Sequence, residues 1–180
     1  MSQEGAYYER RLPVYLVVDT SGSMAGEPIA ALEMGLKMLL SDLVCDPQAL
    51  DTVWLSLITF DSEAEQLVPL TQMDEFQTPH LEAHGTTALG DALELLMSRL
   101  DEEVRKVTEE QKGDWRPMVF LFTDGTPTDD WEDLAEEFRR KDEAMLIGCA
   151  AGPEADDGVL KKLTGTVLRL QDTQPGTLGA

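Results

Sequence analysis

The feature that most constrains this chain is an apolar run that ends in alternating oxygen-bearing side chains. Residues 14–18 are apolar and rich in β-branched side chains, a pattern typical of a strand buried on both faces of a parallel sheet. Asp19, Ser21 and Ser23 follow, and Pro28 stands just inside the next helical pattern. The sequence therefore places a carboxylate and two hydroxyls at the carboxyl end of a buried strand, where ligands bind in open α/β sheets.

These three side chains offer hard oxygen ligands for a cation. One carboxylate with two hydroxyls suits Mg²⁺, Mn²⁺ or Ca²⁺ better than zinc or copper. The same residues also fit an Asx or Ser turn that caps the following helix, so both interpretations stand at this point. The spacing of Asp19, Ser21 and Ser23 directly after a strand favours the cation.

Hydrophobic periodicity predicts helices and strands in alternation after this loop. Helical spacing covers residues 28–43, 91 to about 111, 129–141 and 157–163, and strand patterns cover residues 53–60, 66–70, 115–123, 144–150 and 167–170. Only a short turn at Asp61 separates the second and third strands, which predicts antiparallel pairing. The predicted fold is a doubly wound α/β domain, with helices on both faces of a mostly parallel six-stranded sheet that has one antiparallel edge strand.

The same pattern sets the expected domain limits. One domain spans residues 12–170, after an N-terminal extension of residues 1–11 and before a polar tail of residues 171–180. The long helix that begins at residue 91 is predicted to bury Val107 and to expose its glutamates, among them Glu103.

A second buried strand also ends in an acid, Asp124. If the two strands are neighbours where the strand order reverses, Asp19 and Asp124 face each other across one crevice. The stretch Gly85-Thr86-Thr87 leads into a helix from the same edge, and one of its threonines can cap that helix while the other stays free. Two carboxylates balance a divalent cation, whereas without one they repel and one pKa rises.

Charge and composition limit the possible partners. With 14 Lys and Arg against 35 Asp and Glu, the net charge is −21, which disfavours a nucleic-acid or anionic membrane surface. No apolar stretch is long enough for a membrane span and no signal-peptide pattern is present, so we expect a cytoplasmic protein. Cys45 and Cys149 predict no disulfide framework, with Cys149 buried, and His80 and His84 are interpreted as solvated loop residues.

Asp19, Ser21, Ser23, Thr87 and Asp124 together resemble the metal-ion-dependent adhesion site of von Willebrand factor A (VWA) domains, and the resemblance extends over residues 12–170. It implies that three loops meet at the top of the sheet and hold a divalent cation. The serines and the threonine would bind it directly, and the aspartates directly or through water. In that family the threonine stands two residues after the loop glycine, which implies Thr87 rather than Thr86. The sequence more narrowly resembles bacterial TerY-type proteins of tellurite-resistance and stress-response operons.

The resemblance implies a metal-dependent protein-binding module. A partner's Asp or Glu would complete the shell of the cation, for which Mg²⁺ is the first candidate and Mn²⁺ or Ca²⁺ are alternatives. The implied partner is an operon-encoded phosphatase or kinase-like protein.

Two other classes of function stay open, a metal-dependent phosphohydrolase or phosphoryl-transfer domain and a structural subunit whose metal only fixes the loops. Against the enzyme, Ser21 occupies the place of a second carboxylate, and no histidine or lysine is placed as a general acid or base. Neither a nucleophile elbow nor a dinucleotide-binding glycine motif is present. We therefore expect no enzymatic activity.

Overall fold

A six-stranded sheet organises the part of the chain that the structure describes. The structure is a computed structural model that describes residues 10–124, 126–151, 155 and 157–170. The strands are β1 (Leu12–Asp19), β2 (Val53–Phe60), β3 (Ala64–Gln72), β4 (Met118–Thr123), β5 (Met145–Ala151) and β6 (Val167–Leu170). Their order is β3-β2-β1-β4-β5-β6, and only β3 is antiparallel to its neighbour. The predicted sheet, with its antiparallel edge strand, is confirmed.

The central strand β1 creates the place for a site. It pairs with β2 over its whole length and with β4 from Val14 to Val18. Because the chain winds first to one side of β1 and then to the other, the strand order reverses between β1 and β4. Connections leave the sheet in opposite directions at such a point and open a crevice at the carboxyl ends of the two strands. Asp19 and Asp124 lie at those ends, as predicted.

Helices cover both faces of the sheet. They are α1 (Glu27–Val44), α2 (Pro47–Thr52), α3 (Leu89–Glu103), α4 (Glu132–Lys141) and α5 (Asp157–Leu163). Alternate residues of β1 point to opposite faces, so Tyr15 and Val17 pack with α3, α4 and α5, whereas Leu16 and Val18 pack with α1 and α2. The two cores confirm the doubly wound fold. Among the described residues, no helix combines the length and apolar character needed to cross a membrane.

The predicted length of α3 is wrong. The helix ends at Glu103 instead of continuing to about residue 111, and Val107, predicted to be buried, is 76% exposed. The cause is a pair of contacts, one from Arg11, 92 residues earlier in the chain, and one from Asp114. Arg11 donates a hydrogen bond of 2.8 Å to the carbonyl oxygen of Glu103, and the Asp114 carboxylate accepts the N–H of Arg105 at 2.8 Å. These bonds satisfy backbone groups that a longer helix would use itself.

The predicted exposure of Glu103 is also wrong. Its carboxylate accepts hydrogen bonds from the Tyr15 hydroxyl at 3.1 Å, the Gln66 amide at 2.9 Å and the Leu70 N–H at 2.9 Å. The side chain therefore joins α3 to β1 and β3. Helical spacing alone could not distinguish this glutamate from its solvated neighbours, because its partners lie at least 33 residues away.

The short helix α2 is missing from the sequence prediction. Asp46 and Pro47 do end α1, but they also begin α2, where the Asp46 carboxylate accepts the N–H of Gln48 at 3.0 Å and Pro47 takes the first helical position. The same two residues serve as a stop signal and a start signal.

Candidate metal site

Three loops meet above the crevice between β1 and β4. The loop after β1 is joined to the loop before α3 by the N–H of Gly22, which donates to the Gly85 carbonyl at 3.0 Å, and by the N–H of His84, which donates to the Thr20 carbonyl at 2.9 Å. The loop before α3 is joined to the loop after β4 through Thr87. These backbone hydrogen bonds fix the relative position of all three loops.

Asp19 lies at the base of this site and is completely buried. One of its carboxylate oxygens accepts the N–H of Ser21 at 2.8 Å, and the other accepts the Thr123 hydroxyl at 2.7 Å. A buried carboxylate needs such partners, because an isolated charge costs several kcal/mol of desolvation, as an order of magnitude. Each carboxylate oxygen has a further lone pair that can point toward a ligand.

The hydroxyls of Ser21 and Ser23 connect the first loop to Asp124. Their oxygens lie 3.1 Å apart, and the Ser23 hydroxyl donates to Asp124 Oδ1 at 2.9 Å. Ser21 is buried, Ser23 is exposed and Asp124 is partly buried. The set thus runs from the interior to the surface, and its outer end is open to an incoming group.

The two carboxylates affect each other electrostatically. Burial raises the pKa of Asp124 above its ordinary value, the Ser23 hydrogen bond lowers it, and the nearby Asp19 carboxylate raises it further. Burial is the main cause of the rise, and the repulsion between the two acids adds to it. A divalent cation between them would turn this repulsion into attraction.

The structure separates the two adjacent threonines. Thr86 is exposed, and its N–H and hydroxyl lie 3.1 and 3.3 Å from the Ser62 hydroxyl in the β2–β3 turn. Thr87 is buried, and its backbone exchanges hydrogen bonds with Thr128 at 3.0 and 2.8 Å. The hydroxyl of Thr87 makes no hydrogen bond with any other described residue, so it is available as a ligand.

Several supporting residues escaped sequence analysis. Thr123 holds Asp19, and Thr128 holds the backbone of Thr87. The Asp129 carboxylate, which sequence analysis assigned to the first turn of the next helix, instead accepts the N–H groups of Gly90 and Asp91 at the start of α3. The only available signal was the cluster of threonines and aspartates after β4, and it does not say which distant backbone each side chain meets.

The histidines and cysteines lie outside this set. His80 is 3.1 Å from Glu33, and His84 is 3.4 Å from Asp61; both histidine side chains are exposed. Within the described ranges, no group of three or more His, Cys, Asp or Glu side chains is placed to hold a metal. Both cysteines are free, Cys149 being buried as predicted and Cys45 exposed.

The donor set fits a hard divalent cation. Two carboxylates supply the balancing charge, and three hydroxyls supply neutral oxygen ligands, the composition that Mg²⁺, Mn²⁺ and Ca²⁺ prefer. Zinc and copper favour nitrogen or sulfur ligands, which this set does not contain. The residues that could hold the cation are Asp19, Ser21, Ser23, Thr87 and Asp124.

Comparison with known proteins identifies the family. A model of the von Willebrand factor type A domain matches residues 14–172, well over half of the 180 residues, and the chain belongs to this family. VWA domains generally mediate protein–protein interaction, often with a divalent metal, and are mostly interaction modules rather than enzymes. No curated protein matches the sequence.

Solved structures agree with this fold. VWA2, an ArnB paralog from Sulfolobus acidocaldarius, is 19% identical with a TM-score of 0.68, and the match covers 95% of this chain and 45% of that one. The manganese-loaded TRAP protein of Plasmodium vivax is 20% identical with a TM-score of 0.63, over 90% of this chain and 69% of that one. The VWA domain of SpRpn10 is 14% identical with a TM-score of 0.62, over 92% of this chain and 91% of that one. This chain spans less than half the length of the first solved structures it matches, 42% to 45%.

Proposed function

We propose that this chain is a metal-dependent protein-binding module whose site is formed by Asp19, Ser21, Ser23, Thr87 and Asp124. The observation that carries the proposal is the hydrogen bond between Ser23 and Asp124, residues 101 positions apart, directly above the buried Asp19. Two carboxylates and two serine hydroxyls form one hydrogen-bonded set, and the buried Thr87 of the adjoining loop has a hydroxyl with no described partner. Such a set offers the oxygen ligands that a hard divalent cation prefers.

Mg²⁺ is the cation we propose first, with Mn²⁺ and Ca²⁺ as alternatives. If each of the five side chains binds through one oxygen, the protein supplies five donors, fewer than the six of Mg²⁺ or the six to eight of Ca²⁺. When bound, the cation would supply a positive charge and at least one coordination position open to an incoming oxygen. The Plasmodium vivax TRAP structure holds manganese, which supports a divalent ion without choosing among the three.

The partner we propose is a protein that presents an Asp or Glu side chain. The chain carries a net charge of −21, so it repels an acidic surface unless a cation lies between the two. A partner carboxylate would be held at the exposed end of the site, beside Ser23. Binding would then depend on the cation, on Asp124 and on a single acidic residue of the partner.

The narrower biological setting rests on the resemblance alone. The run of the sequence is similar to TerY-type proteins, and we propose an adaptor of a bacterial tellurite-resistance or stress-response system in the cytoplasm. Its partner would be a phosphatase or kinase-like protein encoded in the same operon. The domain limits we propose remain residues 12–170, and we propose no enzymatic activity for them.

The contacts around the site support binding rather than catalysis. His84 belongs to the loop before α3, but its side chain is exposed and paired with Asp61 in the β2–β3 turn. The serine hydroxyls bond to each other and to Asp124, and neither bonds to a histidine or lysine that could activate it. A phosphohydrolase would need a group placed to move a proton, and no histidine or lysine among the described residues bonds to the serine hydroxyls or to the two aspartates.

The experiment is a capture of partners by the tagged chain from a lysate of its host, in Mg²⁺ and in EDTA. Asp124→Ala is compared with wild type, and Thr86→Ala serves as the control for a change in the same region. We expect capture in Mg²⁺ by wild type and Thr86→Ala only, and loss of binding when one acidic residue of the partner becomes an amide. Capture that survives both EDTA and Asp124→Ala would reject the proposal, and Asp124-dependent hydrolysis of a generic phosphoester would replace it with the enzyme.

A further inference from the structure

A second polar cavity lies at the opposite end of the sheet from the candidate metal site. It has a volume of about 520 Å³, and its charged lining consists of Arg10, Arg11, Arg105, Lys112, Glu110 and Asp114. We call it the basic cavity. It adjoins the amino ends of β1 and β4, whereas the metal site adjoins their carboxyl ends. With eight residues in β1, the two sites are roughly 26 Å apart.

The charge of the basic cavity is opposite in sign to the net charge of the molecule. The whole chain has 35 acidic residues against 14 basic ones, yet here four basic side chains face two acidic ones. Asp114 is neutralised by Arg11, which reaches its two carboxylate oxygens at 2.9 and 2.6 Å. Arg10, Arg105 and Lys112 are then opposed by Glu110 alone. The cavity is therefore a local positive site on a strongly negative protein.

Two of these cations have no structural task in the described part of the chain. The Arg105 and Lys112 side chains form neither a hydrogen bond nor an ion pair with any other described residue. In contrast, Arg10 donates to the Gly113 carbonyl at 2.9 Å, and Arg11 holds Asp114 and the end of α3. Cations that stabilise nothing around them are free to pair with an incoming anion.

The segment that presents these cations is an ordered loop. Asp114 accepts the N–H of Arg105, and the Asp114 N–H donates back to the Arg105 carbonyl at 2.9 Å, which closes the loop at its base. The Thr108 hydroxyl accepts the N–H groups of Glu110 and Gln111 at 3.3 and 3.1 Å. A loop that is already hydrogen-bonded loses little conformational entropy when a ligand binds.

Apolar surface lies beside the basic cavity. The Trp115 side chain is 50% exposed, and Arg10 stacks on it with its guanidinium carbon 3.9 Å from the ring centroid. Val107 is 76% exposed. Exposed tryptophan together with arginine is the composition enriched at protein–protein contacts, where each gives a large energetic contribution.

We propose that the basic cavity binds an acidic segment of a partner protein, with Arg105 and Lys112 as the residues that pair with its carboxylates. The excess of positive charge is small, and it sits on a chain of net charge −21. That suits a short acidic peptide segment and disfavours nucleic acid, whose many phosphates the rest of the surface would repel. This contact needs no metal, so it goes beyond the proposed function.

The test uses the full chain in EDTA at low salt and a rhodamine-labelled peptide, Asp-Glu-Asp-Leu-Glu-Asp. Fluorescence anisotropy gives its affinity, and Asn-Gln-Asn-Leu-Gln-Asn is the matched neutral probe. We expect the acidic peptide alone to bind, and Arg105→Ala with Lys112→Ala to weaken it about tenfold. The control pair Arg139→Ala with Arg140→Ala removes the same charge from exposed positions of α4 that do not line the cavity and should change affinity less than twofold.

Three results would overturn this proposal. An equal loss of affinity in the Arg139→Ala, Arg140→Ala control pair would show that the peptide responds only to the net charge of the protein. Binding of the peptide only after Mg²⁺ replaces EDTA, or its loss in Asp124→Ala, would assign the peptide to the metal site instead. Tighter binding of a single-stranded oligonucleotide, lost with the same two cations, would make the basic cavity a nucleic-acid site. Because the assay runs in EDTA, its outcome is independent of the proposed metal-dependent function.

Discussion

Replacing Gly85 by alanine should destabilise the fold at the point where the site loops are joined. Gly85 has φ of +78° and accepts the N–H of Gly22 through its carbonyl oxygen. A Cβ at this position would lie 2.5 Å from the Ser62 hydroxyl oxygen and 3.3 Å from the Ser62 N. The alanine therefore meets both backbone strain and a close contact with the β2–β3 turn.

The expected loss of stability can be estimated from these two effects. A positive φ costs a residue with a Cβ about 1–2 kcal/mol. The contact with Ser62 must be relieved by moving its side chain, which gives up the hydrogen bond from the Thr86 N–H, worth about 1 kcal/mol. We expect Gly85→Ala to lower the free energy of unfolding by about 3 kcal/mol, a figure that includes the steric overlap left between the new Cβ and Ser62. The affinity for Mg²⁺ should fall as well, because Thr87 is displaced with the loop.

Urea unfolding of a double-mutant cycle separates the two effects. Ser62→Ala alone loses the same hydrogen bond, at a cost of about 1 kcal/mol, and removes the atom that meets the new Cβ. The loss in free energy of unfolding in the double variant should therefore be smaller, by about 1 kcal/mol or more, than the sum of the losses in the two single variants. Strict additivity would show that Ser62 does not restrict Gly85 and would refute the reasoning.

Three further predictions concern single residues. Asp129→Ala should cost about 1 kcal/mol in urea unfolding because α3 loses its cap, whereas the exposed Asp130→Ala should cost little. Burial raises the pKa of Tyr15 above its ordinary 10.0, so above pH 10 the unfolded chain loses a proton that the folded chain keeps. The free energy of unfolding should therefore fall as pH rises above 10, and it should fall less in Tyr15→Phe, as urea unfolding at pH 9 to 11 would show. Burial raises the pKa of the Cys149 thiol to about 12, so iodoacetamide at pH 8 should label Cys45 only, as mass spectrometry would show.

The sequence predicts those features that depend on local pattern. The run before Asp19 reads as a buried strand because its neighbours on both faces are apolar, and the two acids fall at strand ends because each follows such a run. To predict that Asp19 and Asp124 lie close together, we also had to assume that β1 and β4 are adjacent. The structure confirms that adjacency.

Features that depend on distant partners could not be predicted in this way. The bond from Thr123 to Asp19 joins residues 104 positions apart, and the bonds from Arg11 that end α3 join residues 92 and 103 positions apart. Helical periodicity continued past Glu103 because Val107 has the right spacing, and only tertiary contacts show that the backbone turns away there. The basic cavity was missed for the same reason, since its cations come from two segments more than 90 residues apart, Arg10 and Arg11 in one and Arg105 and Lys112 in the other.

The most direct test of the account is calorimetric titration of the chelator-stripped protein with Mg²⁺, Mn²⁺ and Ca²⁺. Wild type is compared with Asp19→Ala, Asp124→Ala and Thr87→Ala, and Thr86→Ala is the matched control, with circular dichroism to verify each fold. We expect one site in wild type and Thr86→Ala, and lost or strongly weakened binding in the other three variants. Thr87→Ala is the sharpest case, because its hydroxyl holds nothing else in the described structure. Wild-type affinity in folded Thr87→Ala and Asp124→Ala would contradict the claim that these loops hold one metal together.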